Sequence, residues 1–123
     1  MQTELTSEEI DKLRRTFKRC SDETIEAILT FRQTGDVLAV GVITRGIFSR
    51  YLRDEARESL ASAVPETPLS SLGVDSLTML EIILDLQDAL DISIEDPELK
   101  HLRTIGDVNE LLTAKAAQRG GAA

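Results

Sequence analysis

The chain has 123 residues, of which 41% are hydrophobic and 29% charged, so a single domain with a buried core is expected and global disorder is excluded. Its net charge of −8 comes almost wholly from residues 61–123, which hold 11 acids and 4 bases. Such a surface repels phosphate backbones and anionic lipid, which excludes nucleic acid and membrane as principal partners, and it attracts basic protein surfaces. Aromatic residues make up only 3%, which favours a helical bundle over a β-sandwich.

Cysteine content and hydropathy predict a cytoplasmic protein without membrane insertion. Cys20 is the only cysteine, so no intramolecular disulfide can form and a reducing compartment fits. No basic and apolar signal segment follows Met1, and the longest apolar run, residues 37–43, is far shorter than the roughly 20 residues of a membrane span. No Cys/His cluster accompanies Cys20, and no metal site is expected.

The first 40 residues predict two short amphipathic helices. Thr6 and Glu9 have the spacing of a capping box. Ser21 begins a second helix, and Gly35 ends it by tolerating a left-handed backbone. Neither helix would be stable alone, so we expect both to pack on the rest of the chain or to pair two chains.

Residues 37–64 are predicted to form one further helix, kinked near Gly46. The β-branched front of this segment would suit a strand, but no second strand is available to pair with it, and apolar residues recur at helical spacing from Ile43 to Ala63. Pro65 and Pro68 then introduce a loop.

The second half of the chain predicts three more helices. Ser76–Leu90 is the clearest of them, and Asp96–Pro97 opens a short one as cap and first helical residue. Thr104 and Asp107 cap the last helix, and residues 116–123 are expected to be a flexible tail. The predicted fold class is therefore all-α.

The helix after Ser76 carries more apolar residues than one buried face requires. One stripe that can face a core consists of Met79, Ile82, Ile83, Leu86 and Leu90. A second ridge consists of Leu77, Leu80 and Leu84, with Glu81, Asp85 and Asp88 beside it. The ridge is either covered by the N-terminal helices or is an exposed docking strip, whose charges would set association rate and orientation.

Ser76, at the mouth of this helix, has several interpretations. A serine in this position most often caps the helix. A catalytic serine needs a base, and the only histidine, His101, lies a loop and a short helix away. A third interpretation is that the hydroxyl is a point of attachment.

The motif GVDSL, Gly73–Leu77, followed by a hydrophobic acidic helix, closely resembles the acyl carrier proteins and the wider phosphopantetheine-attachment family, whose signature is Gly-x-Asp-Ser-Leu. The resemblance covers about residues 45–113. It implies a four-helix bundle of three main helices and one short helix over residues 41–115. About two extra helices would then form an N-terminal extension, residues 1–40, and residues 116–123 a tail.

The resemblance also implies roles for particular residues. Ser76 would be esterified by 4′-phosphopantetheine, and Asp75 would be the acid that the phosphopantetheinyl transferase recognises, in the family with help from Mg²⁺. Partner enzymes would dock on the acidic helix through Leu77, Leu80, Glu81, Leu84 and Asp85, with Asp88 beside them. The acyl cargo would fold into an interior lined by Leu69, Ile83, Leu86, Leu90, Ile94, Leu99 and Leu102.

The implied function is to carry acyl intermediates as thioesters in a fatty-acid, lipid or polyketide-type pathway. The protein would not be an enzyme but a substrate of the transferase and of acyl-transferring or condensing enzymes with basic docking patches. The N-terminal extension, the short connection into Pro65 and Thr78 in place of a common acid depart from the family pattern and indicate a specialised member. A homodimer through the extension is a further expectation.

Three alternatives remain open from the sequence. The chain can be an aminoacyl or peptidyl carrier of the same fold, or an interaction module that is never modified. The Gly-Asp-Ser-Leu esterases are a weaker match, because Val74 separates Gly73 from Asp75 and no βαβ alternation is visible. Glu98 and His101 also give Glu-x-x-His where those enzymes have Asp-x-x-His.

Overall fold

The computed structural model describes residues 5–121, within which every regular element is a helix. The elements are α1 (Ser7–Thr16), α2 (Asp22–Thr34), α3 (Ala39–Tyr51), α4 (Asp54–Ala61), a 3₁₀ turn (Leu69–Leu72), α5 (Ser76–Leu90), α6 (Asp96–Leu99) and α7 (Ile105–Gly121). The all-α prediction is confirmed. None of the helices in the described range is long and apolar enough to cross a membrane.

Helices α1, α2 and α7 begin at the caps that the sequence predicts. In the α1 capping box, the Glu9 amide lies 3.1 Å from Thr6 Oγ1 and the Thr6 amide 3.2 Å from Glu9 Oε1. Ser21 caps α2, and Gly35 ends it at φ 71°. The prediction for α6 is one residue late, because Glu95 is its cap and shares a capping box with Glu98.

The single helix predicted over residues 37–64 is wrong. Leu52 and Arg53 have extended backbones, with ψ of 151° and 162°, and they separate α3 from α4. This break changes the direction of the chain, and both Leu52 and Leu60 are buried in the core. Gly46, where a kink was expected, lies inside α3.

The N-terminal helices α1 and α2 pack on the rest of the bundle, which was one of the two expectations for them. Helix α2 contacts α3 and α5, and α1 contacts α2. Phe17 and Phe31 are fully buried and belong to the same core cluster as Ile82 of α5. A Cβ at Gly46 would lie 2.0 Å from Thr24 Oγ1, so the glycine permits the close approach of α2 to α3. The core is therefore continuous across residue 40.

Helix α7 continues through Gly121, although the sequence predicts a flexible tail from residue 116. Ala116 is fully buried. The Arg119 guanidinium lies 5.5 Å from the centroid of the Phe31 ring, and its Nη2 is 3.3 Å from Asp91 Oδ2. Contacts with α2 and with the end of α5 thus extend the helix, while residues 122–123 of the predicted tail lie outside the described range.

Candidate functional site

The loop that leads into α5 is held by the start of α7. Three backbone hydrogen bonds join them: Leu69 N–H to Arg103 O (2.9 Å), Ile105 N–H to Thr67 O (3.0 Å) and Gly106 N–H to Pro65 O (2.8 Å). A Cβ at Gly106 would lie 2.7 Å from the Pro65 oxygen, so only glycine allows this approach. At the end of the 3₁₀ turn, Gly73 has φ 76°, which redirects the chain into α5. These contacts fix the path of the loop that leads to Ser76.

Asp75, not Ser76, caps α5. The Asp75 carboxylate accepts a hydrogen bond of 2.7 Å from the Thr78 amide, and this bond is the main reason why the pKa of Asp75 lies below its ordinary value. Ser76 is the first residue of the helix and is exposed, and within residues 5–121 its hydroxyl makes no hydrogen bond. The interpretation of Ser76 as the cap is thus wrong. Its hydroxyl is accessible at the positive end of the helix dipole.

Ser76 and Asp75 lie at a cleft of about 660 Å³. Four of the seven residues predicted for the acyl interior line this cleft: Leu69, Ile83, Leu99 and Leu102. The other three, Leu86, Leu90 and Ile94, are buried in the core and do not line it. The cleft also includes Val74, Met79 and Arg103, which were not predicted to line the acyl interior. The sequence could have indicated two of these cleft residues, because Val74 lies within the GVDSL motif and Met79 is one helical turn after Ser76.

His101 does not line the Ser76 cleft. It lies beside a separate depression with Glu98, Asp107 and Leu111. Among the described residues there is also no cluster of His, Cys, Asp and Glu side chains that could hold a metal ion. The structure therefore offers Ser76 no histidine base from this chain at the cleft.

The second leucine ridge of α5 is exposed to solvent. Leu77, Leu80 and Leu84 are 67%, 48% and 53% exposed, whereas Ile82 and Ile83 on the opposite stripe are buried. Helix α1 flanks the end of the ridge, since its residues line a groove together with Leu84, but neither α1 nor α2 covers it. Of the two alternatives for the ridge, the structure excludes burial under the N-terminal helices.

The three acids beside the ridge differ in their surroundings. Glu81 and Asp88 are exposed, and their carboxylates form no ion pair within the described residues. Asp85 is half-buried, and its Oδ2 lies 3.1 Å from Arg50 Nη1 and accepts a hydrogen bond from the Tyr51 hydroxyl. Burial, followed by the hydrogen bond to Asp85 and its charge, raises the pKa of Tyr51 to about 12. No local pattern predicts this network, because it depends on how α3 packs against α5.

Comparison with known proteins identifies the family. Residues 45–112 match the model of the family described as "Phosphopantetheine attachment site". The chain is 34% identical over 67 residues to an acyl carrier protein of Amoebophilus asiaticus. The aligned stretch covers 50% of this chain and 84% of that relative. The chain belongs to the acyl carrier protein family. Two Exiguobacterium acyl carrier proteins are 49% identical over 37 residues and 46% identical over 44 residues, which are 30% and 36% of this chain. The chain spans 47% and 56% of their lengths, about half. No solved structure gives a significant match.

The cofactor of this acyl carrier family member is 4′-phosphopantetheine, bound covalently. The residues of the site fit this group. The exposed Ser76 hydroxyl, which has no hydrogen-bond partner among the described residues, stands at a helix N-terminus, where amides and the helix dipole favour a phosphodiester. Among the described residues, Arg103 is the one cation that lines the adjoining cleft. The arm supplies the thiol, and the chain supplies its position.

Proposed function

We propose that this chain carries acyl intermediates as thioesters on a 4′-phosphopantetheine arm attached to Ser76. The observation that carries this proposal is the free hydroxyl of Ser76. Because Asp75 provides the helix cap, esterification of Ser76 removes no hydrogen bond that stabilises α5. The same hydroxyl lies at a cleft lined largely by apolar side chains, which favours an acyl cargo over an aminoacyl or peptidyl one.

The protein residues have separate tasks in this proposal. Asp75 holds the first turn of α5, and its ionised carboxylate marks the serine for the transferase. Arg103 places a positive charge in the cleft that Ser76 adjoins, which favours a phosphodiester there. The backbone hydrogen bonds between the loop and the start of α7 hold Asp75, Ser76 and Arg103 in place around the cleft.

Docking of partners is proposed for the exposed face of α5. The residues of this surface are Leu77, Leu80, Glu81, Leu84, Asp85 and Asp88. Leucine anchors surrounded by carboxylates suit partners with basic patches, such as a phosphopantetheinyl transferase and acyl-transferring or condensing enzymes. Arg50 already pairs with Asp85, so Glu81 and Asp88 supply most of the available negative charge.

The finer assignments are also proposals. The chain would serve a fatty-acid, lipid or polyketide-type pathway in the cytoplasm and would act as a substrate of enzymes, not as an enzyme. Its carrier domain would span residues 41–115, with residues 1–40 as an N-terminal extension that takes part in pairing two chains. A module that is never modified is the second candidate, favoured by the exposed leucine ridge alone.

Intact-mass measurement after incubation with coenzyme A, Mg²⁺ and a broad-specificity phosphopantetheinyl transferase tests the attachment. We expect a gain of one phosphopantetheine in the wild type and in Ser70→Ala, and none in Ser76→Ala. Ser70 is a matched control because it is also exposed and lines the same cleft. If several transferases leave the wild type unmodified, the proposal fails and α5 is only a protein-binding surface.

A further inference from the structure

A second cleft, of about 720 Å³, lies between the start of α2, one face of α3 and α4. Four arginines line it: Arg19, Arg45, Arg50 and Arg57. Glu23 is the only acid among the residues that line it. On a chain with a net charge of −8, this cleft is a concentrated basic surface, and neither the family match nor the proposed function accounts for it.

The basic cleft also carries exposed apolar side chains. Leu38 is 84% exposed and Val42 is 38% exposed, and both line the cleft. Arg19 and Arg45 are exposed and have no ion-pair partner in the part of the chain that the structure describes. The other two arginines are paired, Arg50 with Asp85 and Arg57 with Asp54. Apolar groups beside the two unpaired cations are suited to a protein surface of the opposite charge.

The leucine ridge of α5 has the complementary character. Its leucines stand among the exposed carboxylates Glu81 and Asp88, so it supplies apolar anchors that can meet Leu38 and Val42 and the negative charge that the basic cleft lacks. The two surfaces also adjoin, because Arg50 lines the cleft and its Nη1 lies 3.1 Å from Asp85 of α5. Two complementary patches side by side on one chain are what a two-fold symmetric interface requires, since each patch then meets the other patch of the partner.

We propose that the basic cleft of one chain binds the leucine ridge of a second copy, and the reverse, in a reversible homodimer. The surplus negative charge of each chain opposes association, so the dimer is weak and depends on concentration. Its formation covers Leu80 and Leu84, so that enzymes compete with a second copy for the docking face. The competition with enzymes rests on the proposed docking role of α5, whereas the contact between the two chains does not.

Sedimentation velocity of the full chain, from the micromolar to the millimolar range, tests the contact. We expect the average mass to rise with concentration from the 13.5 kDa of the monomer toward twice that value. Arg45→Glu and Glu81→Arg should each raise the dissociation constant about tenfold or more, which is about 1.4 kcal/mol. An equimolar mixture of the two variants should associate like the wild type, because each reversed charge then faces its reversed partner.

Arg15→Glu is the matched control, because Arg15 is exposed on α1 and lines none of the described clefts. It should associate like the wild type. Leu38→Ser, which removes an apolar anchor without changing charge, should weaken association. Circular dichroism verifies that each exposed substitution leaves the fold intact.

A monomeric mass at every concentration overturns the proposal. So does equal weakening by Arg15→Glu, or a mixture of the two reversed variants that stays monomeric. A monomer whose melting temperature rises with inorganic phosphate, but not in Arg45→Glu, would assign the cleft to a small anion instead. Ser76→Ala should associate normally, so failure of the attachment proposal and failure of the dimer give different results.

Discussion

Replacing Gly46 with alanine tests how tightly the N-terminal extension packs on the bundle. A Cβ at this position would lie 2.0 Å from Oγ1 and 2.5 Å from Cγ2 of Thr24. Thr24 is only 3% exposed, and its hydroxyl is 3.0 Å from the Ser21 hydroxyl, so it has little room to rotate. We therefore expect the substitution to push α2 away from α3.

The change in the free energy of unfolding caused by Gly46→Ala follows from two opposing effects. Overpacking of this kind costs about 1–3 kcal/mol, and the better helix propensity of alanine offsets at most about 1 kcal/mol. Gly41 is the matched control, because it lies in the same helix and an added Cβ would meet no other atom within 4 Å. Gly41→Ala should raise stability by about 0.5 kcal/mol, while Gly46→Ala should lower it by about 1–2 kcal/mol and the melting temperature by roughly 3–8 °C.

Urea unfolding followed by far-UV circular dichroism measures both variants. In the double variant Thr24→Ala/Gly46→Ala, the two closest atoms are absent, so the loss of stability should be smaller than the sum of the two single losses. If Gly46→Ala is as stable as Gly41→Ala, the close approach of α2 to α3 at Gly46 is wrong.

Three further measurements test the network on α5, the cap of α7 and the docking ridge. Asp85→Asn should lower the pKa of Tyr51 from about 12 toward its ordinary value near 10, because a charge that disfavours tyrosinate is removed. Since Tyr51 is the only tyrosine and the chain has no Trp, ultraviolet titration follows it directly, and an unchanged midpoint would contradict the contact. The stability that Tyr51 contributes is present below pH of about 10 and is lost as pH rises through its native pKa. Hydrogen bonds from the amides of Arg103 and Thr104 lower the pKa of Asp107, so its contribution is present above pH of about 4 and is lost as pH falls through the native value. Asp107→Asn should therefore give a shallower acid dependence in urea unfolding, and an identical slope would count against these bonds. Leu80→Ser should change stability by no more than about 0.5 kcal/mol but lower the kcat/KM of the transferase about tenfold, whereas a large loss of stability would show that Leu80 belongs to the core.

Local sequence patterns predicted the features that depend on neighbouring residues. The caps at Thr6 and Ser21 involve hydrogen bonds between groups three residues apart, so the printed sequence contains everything they require. The limits of α5 were predicted for the same reason, although capping was considered for Ser76 and not for Asp75, which is the cap in the structure. The predicted roles of the site residues remain predictions, because geometry alone does not show what Ser76 carries.

Features that depend on distant residues were predicted poorly. The break at Leu52 accompanies the burial of that residue and of Leu60, and the extended α7 depends on contacts of Arg119 with Phe31 of α2. Neither contact is visible in a local window of sequence. Leu86 is buried in the core and does not line the cleft beside Ser76, and its assignment to the acyl interior, which came from the family resemblance, remains a prediction.

By itself, the sequence determined that the fold is all-α, that the chain resembles the acyl carrier proteins, and that α5 has two apolar ridges. Only the tertiary structure decided that the second ridge stays exposed, that Asp85 is paired with Arg50, and that four arginines meet in one cleft. The physical reason is the range of the interactions. Helix periodicity and capping depend on residues three or four positions apart, whereas exposure and ion pairing depend on which helices come together.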